Sequence, residues 1–233
     1  MDVSTFFLTA LFGILPNYLW FYIWQKSARG MFSTYYQVPQ GIQAASEHVM
    51  RNRLVGNNLY YGVTPCHKDC GSSNRPKQNE SAGLVCMWLD VDVKHPCHKK
   101  NNLPPDVYAV WQLISLIELM PSLIVASGHG IHAYWLFREI LLNTPETAPF
   151  IQALLRGWKE RFQGNPWGYA VDNVFETARV LRIPGTWNCK PGQEPVSVEL
   201  LTSYPGMEFS VEGLAQIPRY SYEECARTLG LIR

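Results

Sequence analysis

Charge is scarce in this sequence. Of its 233 residues, 20 are Lys or Arg, 19 are Asp or Glu, and the formal net charge is +1. That balance excludes a molecule-wide basic field for nucleic acid, so any such contact must come from a local patch. Internal repeats, low-complexity tracts and an obvious interdomain linker are missing too, which leaves one sizeable domain or two small lobes sharing a cleft. The six Cys are irregularly spaced in a chain too long to need stapling, and no cleavable signal peptide is evident. A secreted disulfide framework is therefore excluded, and a reducing compartment, the cytoplasm, is expected. Charge is also absent from residues 5–24, a length that suits a membrane anchor. Pro16-Asn17 divides that run, however. Its first half reads as a short helix capped by Ser4, and its second, Tyr18-Leu-Trp-Phe-Tyr-Ile-Trp24, as a buried aromatic strand. The expectation is a buried helix–turn–strand unit and no membrane contact.

Hydrophobic residues are plentiful at 47%, and aromatics reach 13% with eight Trp and twelve Tyr. Helices are predicted near 4–14, 40–53, 105–120 and 146–163. Strands are predicted near 18–24, 58–63, 83–93, 123–126, 131–137, 180–183 and 196–200. The run 83–93 is almost unbroken in its apolar character, as in a central strand covered on both sides. Polar loops fall at 64–82, 94–104 and 164–179. Mixed helices and hairpins indicate an α+β fold. The main body extends over 1–207, and 208–233 reads as a C-terminal tail or the start of a further region.

Three groups of residues carry chemistry. Asp90-Val-Asp92 ends the apolar strand, and residues two apart on a strand share a face. Paired carboxylates on a buried strand are costly unless neutralised, and oxygen donors suit Mg or Mn. Alone, the pair also fits two solvated acids at a strand end. Next, Ser127-Gly-His-Gly-Ile-His132 places a Gly-rich turn between two strands. Gly128 and Gly130 allow close backbone approach, the turn N–H groups with the Ser127 hydroxyl make an anion nest, and His132 is near enough to donate to a phosphate. An ordinary hairpin with a core histidine fits the same residues. Third, Arg179, Arg182 and Lys190 interrupt an apolar strand and its Pro-Gly exit, as expected of cations facing a polar cleft. Asp172 lies just upstream as a candidate third metal ligand.

In order along the chain, Trp-Leu-Asp-Val-Asp, Ser-Gly-x-Gly-x-His-x-Tyr-Trp, Asp172 and Ala-Arg-x-Leu-Arg-x-Pro-Gly-Thr-x-Asn-x-Lys resemble the archaeo-eukaryotic primase superfamily, most of all the primase-polymerase branch of phages, plasmids and mobile elements. The resemblance covers roughly residues 5–200. It implies an N-terminal α/β lobe, an RRM-like catalytic lobe and an active cleft between them. It further implies that Asp90, Asp92 and Asp172 are catalytic acids holding Mg or Mn. Ser127 and His132 would contact the incoming triphosphate, and Arg179, Arg182 and Lys190 would lie near nucleotide or template phosphate. The implied activity is that of a DNA primase and DNA polymerase, a template-directed nucleotidyltransferase making or extending primers on single-stranded DNA. The implied partners are template, primer strand and nucleoside triphosphates, with a helicase domain or protein as a further one, inside a prokaryotic host. Some relatives carry a basic residue within the Ser-Gly turn where this chain has His129, which is expected to weaken the turn's hold on triphosphate.

Two other functions use the same residues: a metal-dependent nuclease, and a non-catalytic replication-initiation module that binds single-stranded DNA through aromatics. The Arg and Lys cluster fits triphosphate better than the first, and retention of three acids argues against the second. Separately, Cys66, Cys70, Cys97 and His98 lie in the two loops flanking the acid strand and are candidates for a structural zinc site, although their spacing equally suits free thiols.

Overall fold

The computed structural model describes residues 1–201 and 209–233. The uncharged N-terminal run divides as the sequence predicts. Helix α1 (Val3–Phe12) ends before Pro16, and strand β1 (Trp20–Ser27) follows. The helix cap is Asp2 rather than Ser4. Asp2 accepts from the N–H groups of Ser4 and Thr5 at 3.0 and 3.2 Å, while the buried Ser4 hydroxyl donates to the Pro184 carbonyl at 2.8 Å. An acid two positions earlier satisfies the free N–H groups and leaves Ser4 to bond across the chain.

Being apolar on nearly all sides, α1 is buried between two sheets. Phe7 packs edge-on against Tyr61 of strand β3 (Asn58–Gly62) and against Tyr134 of β6 (Gly130–Leu142), with ring centroids 5.2 and 5.5 Å apart. The first sheet has the order β2-β1-β3-β7, with β2 at Gly30–Gln37 and β7 at Val180–Arg182. The second has the order β4-β6-β5-β9-β8, formed by β4 (Gly83–Asp92), β5 (Leu123–Ala126), β6, β8 (Thr186–Asn188) and β9 (Val196–Leu201). Every named pairing is antiparallel. Helix α2 (Gly41–Asn52) packs on α1, and α3 (Val107–Ile114) on β6. Helix α4 (Ala148–Gln163) covers the second sheet through Trp158, whose indole N–H donates to the Trp88 carbonyl at 2.9 Å. The mixed architecture is the α+β fold expected.

Several elements differ from the sequence reading. β2 and β8 are additional strands. The helix predicted to Met120 stops at Ile114, and the Leu119 carbonyl instead accepts the Trp135 indole N–H at 2.8 Å. The strands predicted at 180–183 and 196–200 join different sheets. The boundary expected at 207/208 lies outside the described residues. Beyond it, α5 (Val211–Gln216) and α6 (Tyr222–Thr228) pack on the core. There Cys225 and Ala226 are fully buried, and Arg219 donates to the carbonyls of Phe137 and Ala10. Among the described residues, no helix is long and apolar enough to cross a membrane.

Candidate active site

β4 is buried along its length until its last residues, where Asp90 and Asp92 emerge on one face while Leu89 and Val91 remain in the core. The register pairs Asp90 with His132 and Asp92 with Gly130 on β6, so the acid strand and the Gly-rich turn form one edge. The first sheet reaches the same edge. Arg179, just before β7, comes within 3.7 Å of the Asp90 carboxylate. The cleft between the sheets is therefore lined by acids from one side and guanidinium groups from the other.

Each acid has its own basic neighbour. Asp90 lies 3.6 Å from His132 Nε2, Asp92 lies 3.1 Å from His98 Nδ1, and Asp172 is paired with the Lys100 ammonium. Burial pushes the Asp90 carboxyl up to about 6, with Arg179 opposing and Asp172 adding to the rise. Asp92 is raised by burial and then by Asp90. The three acids thus share one electrostatic field, although their ligand oxygens do not all lie within 4.8 Å of one another. An oxygen-only donor set at Asp90 and Asp92 fits a hard divalent ion, and a buried carboxylate held up near 6 is what such an ion would relieve. Asp172 would have to leave Lys100 to join it.

Asp172 comes from the 164–179 loop, which side-chain and backbone hydrogen bonds hold in place. Asn165 donates to the Phe162 and Tyr169 carbonyls and accepts from the Tyr169 N–H, Ala170 N–H donates to the Asn102 carbonyl, and the Trp88 indole holds the Val174 carbonyl at 2.9 Å.

The turn residues have structural reasons of their own. A Cβ on Gly130 would sit 2.3 Å from the Val91 carbonyl oxygen, and one on Gly128, whose φ is +98°, would sit 2.9 Å from Asn188 Cβ. Both glycines therefore admit the protein's own backbone and side chains. Ser127 is buried, and its carbonyl accepts the Asn188 amide at 2.8 Å. His132 is only 3% exposed. Its Nδ1 lies 3.1 Å from the Tyr134 hydroxyl, and burial, then Arg182 and Arg179, push its pKa down to about 3. Burial thus favours the neutral imidazole, whose Nε2 lies beside Asp90.

Arg182 bonds the Tyr60 hydroxyl at 3.1 Å and lies over the Tyr60 ring. The Nε atoms of Arg179 and Arg182 are both buried without a hydrogen-bond partner. Lys190 Nζ approaches Cys97 Sγ at 3.5 Å. Sequence reasoning placed His98 only among the zinc candidates, and it missed Lys100, Asn58 and Tyr60. The loop run His-Lys-Lys was a usable signal for His98 and Lys100, but Asn58 and Tyr60 look like ordinary strand residues until β7 is paired beside them.

The four zinc candidates do not come together. Cys66 is buried against Tyr22 and Tyr35 of the first sheet, with Cys70 packed beside it, and burial pushes the Cys66 thiol up to about 12. Cys97 and His98 lie instead beside Lys190 and Asp92.

No family model and no curated protein matches the sequence. Solved structures do match. The AEP domain of the cyanophage S-2L primase-polymerase aligns with a TM-score of 0.59 at 14% identity, covering 98% of this chain and 97% of that one. This chain has the primase-polymerase fold. The catalytic domain of the primase RepB′, solved with initiator DNA, aligns at a TM-score of 0.48 and 14% identity over 98% and 96% of the two chains. The polymerase domain of Mycobacterium tuberculosis ligase D, solved with DNA, gives 0.49 and 11% over 98% and 86%. At 14% identity the likeness to the cyanophage domain describes the fold and leaves the chemistry to the residues.

Proposed function

We propose that the chain is a template-directed nucleotidyltransferase, a DNA primase and DNA polymerase that makes or extends primers on single-stranded DNA. The observation that carries this reading is the pair Arg179 and Arg182 beside the acid edge of β4, each with its guanidinium Nε buried and without a hydrogen-bond partner. Leaving such a donor unpaired costs about 1–3 kcal/mol, so two together call for an anionic partner, and a triphosphate beside carboxylates fits. Asp90 and Asp92, with Asp172 once released from Lys100, would hold Mg or Mn. The bound ion would neutralise phosphate charge and make a 3′-hydroxyl a better nucleophile.

In this reading Arg179 and Arg182 grip the triphosphate, and Lys190 adds charge at its far side. His132 keeps Asp90 in position. The Ser127–Gly130 turn fixes the edge on which the nucleotide lies. We assign the template strand to a groove of about 680 Å³ that adjoins Asp172, lined by Gln78, Asn143, Gln152, Arg156, Lys159 and Asn173. Amides and two cations there, set against the single carboxylate of Glu176, suit a phosphodiester backbone.

The test is incorporation of labelled nucleotide on single-stranded DNA with Mg or Mn. Asp90→Ala with Asp92→Ala should abolish it. Arg182→Ala should raise KM for the nucleotide roughly tenfold or more, as expected for a lost charged hydrogen bond. Absence of incorporation by the unaltered protein on every template and metal overturns the reading. Strand degradation without added nucleotide would replace it with a nuclease.

A further inference from the structure

Beside the acids lies a second group with different chemistry. His95 and Cys97 come from the 94–104 loop and His129 from the turn between β5 and β6. Their ligand atoms all lie within 4.8 Å of one another. Around tetrahedral zinc, with bonds of about 2.0–2.3 Å, such atoms stand roughly 3.3–3.8 Å apart, so small side-chain movements would close the group. The two loops are already joined at this point, since the Val93 N–H donates to the His129 carbonyl at 3.0 Å.

From this geometry we infer that His95, Cys97 and His129 form a zinc site with its fourth position open. His129 Nε2 is buried and has no hydrogen-bond partner, which a metal would supply. Cys97 Sγ lies 3.5 Å from the Lys190 ammonium, a neighbour compatible with a metal-bound thiolate. His95 is exposed, and its Nδ1 has one long contact, 3.3 Å from the Cys97 N–H, so its ring turns at little cost. Two imidazoles and a sulfur are a borderline-soft set that selects zinc over the hard ions suited to Asp90 and Asp92. The open position faces a cavity of about 400 Å³ in which Gln193 and Glu194 also lie. His98 stays outside the set, with its Nδ1 on Asp92.

The ion would tie the 94–104 loop to the β5–β6 turn. It would thereby hold His98 and Lys190, the neighbours of the acid site, in place. This site is separate from the polymerase reading and stands or falls without it.

The test is metal content after dialysis against zinc and then against metal-free buffer. The unaltered protein and the Asp90→Ala, Asp92→Ala double variant should each retain one zinc per chain. Cys97→Ser and His129→Ala should bind at least tenfold more weakly, with circular dichroism confirming that they are folded. Cobalt(II) loaded into the unaltered protein should give a thiolate-to-metal charge-transfer band, which Cys97→Ser removes. That spectrum needs no variant to be informative, so a misfolded substitution does not leave the question open. The inference is overturned if the unaltered protein retains no zinc, if retention follows the acid pair instead of Cys97 and His129, or if the cobalt spectrum lacks the thiolate band.

Discussion

At the scale of single residues, Asp90 and His132 titrate in opposite senses across a 3.6 Å gap. Asp90 is pushed up to about 6 by burial. Between its ordinary value near 3.9 and that point the folded chain holds a proton that the unfolded chain has lost. Its contribution to stability is therefore complete below about pH 3.9 and is lost as pH rises through 6. His132, pushed down to about 3, does the reverse. Between about 3 and 6.5 the unfolded chain carries the extra proton, so its contribution is complete above 6.5 and falls away in acid. Near neutrality the remaining cost is the ionised Asp90, on the order of 3 kcal/mol. A divalent ion removes that cost, whereas at pH 5 a proton already does. Manganese should therefore raise the melting temperature at pH 7.5 and do so by less than half as much at pH 5, read by scanning calorimetry. Asp90→Asn should flatten this dependence, and an equal shift at both pH values would show that Asp90 does not hold the ion. Lys100 tests the third acid. In the proposed reading its ammonium would compete with metal for Asp172, and an exposed pair of this kind is worth up to about 1 kcal/mol. Lys100→Ala should tighten manganese binding up to about fivefold in a nucleotide-free titration. Unchanged or weaker binding would take Asp172 out of the ligand set.

Among the elements, the β4–β6 pair decides whether an acid edge exists at all. Gly130 lies opposite Asp92 and lets the two backbones meet, so Gly130→Ala forces a methyl to within 2.3 Å of the Val91 carbonyl oxygen. That contact cannot be relieved by a side-chain rotation. A loss of about 2–3 kcal/mol is expected, seen as a lower urea midpoint with unchanged slope. Loss of less than 0.5 kcal/mol would mean that the pairing is looser than drawn. The same elements explain what the sequence could reveal. β4 announced itself through an apolar run ending in two acids, and α1 through a run without charge. β2 did not, because Gly30-Met-Phe exposes apolar side chains where a strand with one buried face alternates. β8 is three residues long, too short for any periodicity. The helix at 107–114 looked longer because Leu116, Ile117 and Leu119 keep helical spacing, yet that spacing is satisfied by turns under Trp135. The metal-ligand set was hidden for a related reason. Spacing rules look for Cys and His within one loop, whereas His129 arrives from another strand pair.

Over the whole molecule, the acids, the guanidinium groups and the polar groove come from both sheets and from the 164–179 loop, so a template could be gripped only by the assembled fold. The net charge of +1 supplies no attraction at a distance, and strand binding must rest on a few local cations. The proposed template groove supplies two, Arg156 and Lys159 on α4, and it adjoins Asp172 through Asn173. Each phosphate contact on a single strand contributes about 0.7 to the slope of log affinity against log salt. Arg156→Ala with Lys159→Ala should therefore lower that slope by about 1.4 and weaken single-strand binding at low salt. It should leave manganese binding at the acids unchanged, because neither residue touches them. Fluorescence anisotropy of a labelled oligonucleotide across a salt series reads the slope directly. An unchanged slope would move the template off this groove and onto the Arg179–Arg182 side, where the same strand would compete with the triphosphate.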